Sequence, residues 1–304
     1  MHFALLGPLE VLEDGAPLPL GGYKARVLLA LLACHPNRPL EPSQLIDALW
    51  GGQPPRTAAQ NLRVYVCQLR RILTEKMIVS SRAGYTLAAD LGQIDVELFE
   101  ALAGQARDML AHHDPEHAAA RLREALSIWR GPALADVRDA PSLQPVAARL
   151  EERRLGAVEL RLTAEIMLGH GDGLTEELFT LAEEHPLRER FWSQLMLSLA
   201  SSGRRAEALA AYRHAREILV DELGVEPGPE LQQLHQSILN GRFCQAAADS
   251  LADTPALPSG PVSAPSLPSA EPEPLRELRQ IREMLFRISS QLDRLETAQA
   301  EDPG

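Results

Sequence analysis

ALWGGQPPRTAAQNLRVYVCQLRRIL, residues 48–73, is the stretch whose reading decides the fold. Gly51-Gly52 and Pro54-Pro55 close a short helix at Trp50 and open a longer one, Arg56–Leu73. At about 100° per residue, Leu62, Val66, Leu69 and Leu73 share one narrow stripe, a flank that must pack on other helices. The opposite flank holds Arg56, Thr57, Gln60, Arg63, Val64, Cys67, Gln68 and Arg71, with Asn61 near its edge and no acidic residue. Such a flank suits the edges of base pairs. Arginine pairs bidentately with guanine, Asn or Gln with adenine, and a small apolar side chain touches the thymine methyl. Arg70 and a following hairpin tip would hold phosphates and set the register.

Working outward, the segments on either side complete a recognisable order. His2–Leu6 and Leu9–Glu13 are apolar-rich, Asp14-Gly15 is a hairpin turn signal, and Pro17–Leu20 returns. Tyr23–Cys34 is a strongly apolar helix, ended by Pro36-Asn37-Arg38-Pro39. Ser43–Trp50 is a second, short helix, and Pro42 suits its start. After Leu73, Ile78–Ser81 and Tyr85–Ala88 flank Arg82-Ala83-Gly84 as a β-hairpin. Strands, three helices and a hairpin predict a winged helix over residues 1–95.

Residues 48–73, followed by SSRAGYTL (80–87), resemble the OmpR-type winged helix of the Streptomyces antibiotic regulatory protein (SARP) family. The resemblance implies that Arg56–Leu73 is the recognition helix in the major groove, with Arg82 on a wing that reaches the minor groove. The family often has a basic residue where this chain has Ala59 and Gln68, so a different base preference is implied.

Residues 96–243 read as almost all helix: Glu97–His112, Glu116–Trp129, Leu143–Leu168, Leu174–Glu184, Arg188–Ser201, Arg204–Leu223 and Pro229–Leu239. Breakers between them and small residues at the crossings suggest a helical repeat. The clearest pair runs from Pro186 to Gly224, with Gly203 at its turn and Ala208, Tyr212 and Ala215 on the next helix in tetratricopeptide-like placement. ELFEALAGQAR, ALSIWRGPALADV, LEERRLGAVELRLTAEIMLGHG and DELGVEPGPELQQLHQSIL resemble the bacterial transcriptional activation domain that follows the winged helix in SARP regulators. Over residues 1–242 the resemblance implies binding to tandem direct repeats in promoter DNA. It also implies contact with RNA polymerase and its sigma factor, and activation of a secondary-metabolite cluster.

Residues 244–274 hold seven prolines with Ala and Ser, a flexible linker by composition. Beyond it, over 275–298, Leu278, Ile281, Leu285, Ile288, Leu292 and Leu295 repeat at a and d spacing. A short coiled coil making a homo-oligomer is the preferred reading. An amphipathic helix docking on its own domain or on polymerase is the alternative. The expected architecture is therefore mainly α: a winged helix with a small antiparallel sheet, a tetratricopeptide-like domain and a coiled-coil helix.

Composition fits. Of 304 residues, 45% are apolar and only 4% aromatic, so the cores must be Leu, Ala, Val and Ile. The net charge of −12 seems adverse to DNA, but it is unevenly spread. Residues 1–95 carry net +1, residues 96–243 net −8 and residues 244–304 net −5. Within 55–82, five arginines and Lys76 face only Glu75. A phosphate footprint and a solvated arginine-rich helix both fit that charge.

No run approaches the roughly 20 apolar residues of a membrane span, and the N-terminus lacks a signal-peptide pattern, so a cytoplasmic protein is expected. Cys34, Cys67 and Cys244 form neither a zinc spacing nor a disulfide framework. Cys67 serves most simply as a small neutral residue, a thiol switch being the other reading. No GxxxxGK[ST] loop is present, and His112-His113, His170 and His185 read as helix ends and turns. No receiver domain is expected ahead of the winged helix, which begins at residue 2. No enzyme constellation, cofactor or metal site is expected. A protein-interaction scaffold, in which the winged helix binds protein, is the second functional reading.

Overall fold

The computed structural model describes residues 1–74, 76–90 and 92–241. The linker 244–274 and the heptad segment carrying Leu278, Ile281, Leu285, Ile288, Leu292 and Leu295 lie outside the described residues.

The chain opens with β1 (His2–Ala4), β2 (Glu10–Glu13) and β3 (Ala16–Pro17), an antiparallel sheet in that order. Phe3 opposes Val11 and Glu13 opposes Ala16, which leaves Asp14-Gly15 as a two-residue turn. Both turn residues have positive φ (51° and 83°), as a type I′ hairpin requires. The first strand is shorter than the apolar run His2–Leu6. After Ala4 the amides of Leu5 and Leu6 leave the ladder and donate to the Asp95 carboxylate at 2.8–2.9 Å.

Three helices follow: α1 (Tyr23–Ala33), α2 (Pro42–Trp50) and α3 (Ala58–Leu73). α1 is buried nearly all round, in keeping with its unbroken apolar sequence. α2 starts on a capping box between Glu41 and Gln44 with Pro42 in its first turn, and stops at Gly51 in the left-handed region. α3 starts two residues later than its sequence pattern suggests, because Pro54-Pro55 leave Arg56-Thr57 in a turn before the first helical residue. Its buried side chains are Ala58, Leu62, Val66, Leu69 and Leu73, the predicted stripe. β4 (Ile78–Ser81) and β5 (Gly84–Leu87) then form the wing hairpin. Leu40, in the α1–α2 connection, exchanges backbone hydrogen bonds with Tyr85 at 2.9 and 3.0 Å and ties the wing to the helices. Gly84 makes that approach possible: at φ +131° a Cβ there would lie 1.9 Å from the Leu40 carbonyl oxygen.

The remainder is helical: α4 (Asp95–Ala111), α5 (Pro115–Ser127), α6 (Gln144–Met167), α7 (Thr175–Glu184), α8 (Glu189–Ser201), α9 (Arg205–Leu223) and α10 (Pro229–Leu239), with a short 3-10 turn at Gly171–Leu174. Successive helices pack on one another: α4 on α5, α5 on α6, α7 on α8 and α8 on α9. At the α4–α5 corner His113 takes φ 58° and Asp114 caps α5 by accepting from the His117 amide at 3.3 Å. At the α8–α9 corner Gly203 takes φ 75°. One buried cluster runs without a break from Phe3 and the stripe of α3 to Phe99, Trp129 and Leu150. A second, around Trp192, holds α7 to α10 together, and α6 contributes to both.

The first cluster joins the winged helix to the helices that follow, and polar contacts reinforce the seam. The Leu6 carbonyl accepts from the Arg130 amide at 2.8 Å, and the Leu5 carbonyl from the Leu134 amide at 3.0 Å. The Asp136 carboxylate accepts from the Leu9 amide at 2.6 Å and pairs with Arg26. Arg130 pairs with Glu10 at 2.6 Å and donates to the Pro8 carbonyl at 3.0 Å. Burial pushes the Asp95 carboxyl above the usual carboxylate range, against the pull of the Leu5 and Leu6 amides and of Arg130.

Candidate nucleic-acid interface

The flank of α3 opposite its buried stripe is open to solvent. Thr57, Gln60, Arg63, Val64, Gln68 and Arg71 are exposed, as are Ala59, Cys67 and, in the turn before the helix, Arg56. Val64, an apolar side chain in the middle of this flank, is 46% exposed. Asn61 is half-buried, and its amide donates to the Thr57 hydroxyl at 3.3 Å, so one of its polar groups is engaged in the helix start. Arg56, Arg63 and Arg71 make no hydrogen bond or ion pair among the described residues, so these guanidinium groups are available to an anion. No acidic side chain interrupts the flank between residues 56 and 73.

The wing tip adds to the same basic surface. The Ser81 hydroxyl accepts from the Ala83 amide at 3.1 Å and shapes the turn, leaving Arg82 exposed at its apex. Arg82 likewise has no partner among the described residues. Arg70 differs. It is half-buried, its Nε donates to the Ile78 carbonyl at 2.9 Å, and its Nη2 donates to the Ser80 hydroxyl at 2.6 Å. Its guanidinium therefore braces β4 against α3 along its Nε–Nη2 edge, while Nη1 has no partner among the described residues. Sequence periodicity placed Arg70 between the two flanks but held no signal that a strand eight residues on would meet it. Lys24, on α1, donates to the Leu49 carbonyl at 2.6 Å and lies 4.9 Å from the Trp50 ring centre. Trp50 in turn stacks on Tyr65, with ring centres 6.3 Å apart, which steadies the α2–α3 turn from within.

The remaining chemistry is structural. Burial pushes the Cys34 thiol up to about 12, which removes it from thiolate chemistry. Among the described residues no three His, Cys, Asp or Glu side chains gather as a metal site. Nor, among these residues, is any helix long and apolar enough to cross a membrane.

Two family profiles match, in the order expected from the residues. Residues 18–87 match the C-terminal domain of transcriptional regulatory proteins, and residues 94–239 match the bacterial transcriptional activator domain. The chain is 38% identical over 250 residues to the regulatory protein DnrI of Streptomyces peucetius, covering 79% of this chain and 92% of that one. The chain belongs to the SARP family. This SARP is also 41% identical over 240 residues to the regulatory protein AfsR of Streptomyces coelicolor, where it spans 79% of its own length but only 24% of the relative. A solved structure titled Mycobacterium tuberculosis EmbR in complex with low affinity phosphopeptide superposes with TM-score 0.80 at 36% identity, covering 83% of the SARP and 68% of that chain. The SARP is thus a transcription regulator of DNA-binding type, with an OmpR-type winged helix in front of an activator domain.

Proposed function

We propose that the chain is a sequence-specific transcription activator that reads promoter DNA with α3 and the wing. Arg56, Thr57, Gln60, Asn61, Arg63, Val64, Gln68 and Arg71 face the major groove, and Arg82 reaches the adjacent minor groove. One observation carries this reading: a solvent-open, acid-free flank on a helix whose other flank is locked into the core. Guanidinium groups without internal partners are what a phosphate and guanine surface needs, since charge-assisted pairing there costs no existing bond. Arg70, first read as a phosphate contact, acts in this reading by holding the wing at its distance from α3.

The target is a pair of tandem direct repeats at a promoter of a secondary-metabolite cluster, and the acidic helical domain recruits RNA polymerase with its sigma factor. The heptad segment 275–298 pairs two chains. Support for these finer points is the family order of domains, the names of the relatives and the repeat of Leu and Ile in the sequence. The deciding experiment selects bound fragments from a genomic DNA library with the full chain, then titrates salt on the enriched site. Arg56, Arg63, Arg71 and Arg82 bring four charges per chain onto the duplex, and counterion release by all four sets the steepest slope of log K against log salt at about −3 to −4. Failure to enrich any sequence, with a salt slope near zero, transfers the assignment to a protein-binding scaffold.

A further inference from the structure

Between α7 and α9, above α8, lies a cavity of about 680 Å³. That volume falls within the range of about 300–1,000 Å³ typical of small-molecule sites. Its floor is apolar: Trp192, Leu195 and Leu199 of α8, with Trp192 itself only 1% exposed. Ala210 and Ala211 of α9 form one wall, and their small side chains are what leave the space open. The other wall is Phe179 of α7, 54% exposed although aromatic. Nothing in this cavity is shared with α3 or the wing, so it stands apart from the DNA reading.

The polar rim fixes the charge of an occupant. Arg204 is committed to Glu207 through two hydrogen bonds of 2.8 and 2.6 Å. His214 is bonded to Glu183 at 3.0 Å and turns its ring edge-on to Trp192. Asp172 and Glu176, on the same rim, are exposed, and neither carboxylate forms an ion pair among the described residues. Arg204 also feels the Asp172 carboxylate, but against that one guanidinium the rim carries Asp172, Glu176 and Glu207, which leaves it negative. The footprint is also small: thirteen residues line it, against about 20–30 per side for a stable protein interface.

We propose that this groove binds a small amphipathic cation. Its ring or alkyl body lies on Leu195, Leu199 and Ala210, and its protonated amine sits between Asp172 and Glu176. The open face of Phe179 adds cation–π attraction.

The test uses the full chain and three probes of one body and different charge: naphthylethylammonium, naphthylethanol and naphthylacetate, followed by calorimetry. The ammonium is expected to bind saturably and about tenfold tighter than the alcohol, with the acetate weakest. Asp172→Asn with Glu176→Gln should erase the preference for the cation without shifting thermal unfolding. Ala210→Trp should fill the slot and abolish binding of all three. Should that variant melt early, the charge variant, on exposed positions, decides alone. Equal binding of the three probes, tighter binding of the acetate, absence of saturable binding, or indifference to Ala210→Trp each overturns the proposal. A fall in molar mass on Ala210→Trp, read by light scattering, overturns it too, since the groove is then covered by a second copy.

Discussion

Single side chains divide here by whether their bonding capacity is already used. Arg71 has an unengaged guanidinium on the open flank of α3, so Arg71→Ala should weaken DNA binding on every sequence. It should also reduce the salt slope by about one unit. Val64→Ala should change the preferred base at one position and leave the slope unchanged, as selection from randomised sites would report. Arg70 obeys a different rule because one edge of its guanidinium is tied to Ile78 and Ser80. Arg70→Lys keeps the charge but cannot make both bonds. We expect it to lower affinity several-fold with little change of salt slope, and binding as tight as that of the parent would return Arg70 to the phosphate contacts, which a lysine can also make. The types and spacing of the open-flank residues were readable in the sequence, since helical period and charge suffice for that. The engagement of Arg70 was not, because it depends on a strand that folds back to within 3 Å.

Among elements, the wing is held by one close approach. Gly84→Ala places a methyl against the Leu40 carbonyl in a backbone region that L side chains avoid. The expected cost is about 1–3 kcal/mol, seen as a lower unfolding midpoint together with weaker DNA binding. The α5–α6 junction offers a pH readout. Burial pushes Glu165 up, but hydrogen bonds from His170 and Arg123 outweigh it and hold the carboxyl below its usual range. A depressed carboxylate contributes stability above its unfolded value near 4.5 and loses it as pH falls through the lower folded value. Glu165→Gln should therefore destabilise at pH 7, and the difference should shrink as pH falls below about 4.5, in matched denaturant titrations. Nearly every helix could be placed from breakers and apolar period alone. The misplacements are local and physical: Pro54-Pro55 delay α3, and β1 stops at Ala4 because two amides find a carboxylate instead of a strand.

At the scale of the whole molecule, the seam between the winged helix and the helices behind it had no signature in the sequence. Its contacts join residues some 90 to 130 positions apart, beyond the reach of any period or motif. Asp95→Asn would set an amide donor against the Leu5 amide, which now meets both carboxylate oxygens. A loss of about 2 kcal/mol is expected, with faster hydrogen exchange at that amide before global unfolding. Equal exchange in both proteins would show that the seam does not depend on Asp95. The reader and the helices behind it share one continuous buried core. Once α3 is seated in a groove, the bearing of the acidic helices around the double helix is dictated by base-pair phase. If, as proposed, two chains bind direct repeats and recruit polymerase, repeats one full turn of DNA apart would present both to it from the same side, whereas five added base pairs, about half a turn, would aim one of them away. Promoter output should then oscillate with spacer length even where occupancy does not.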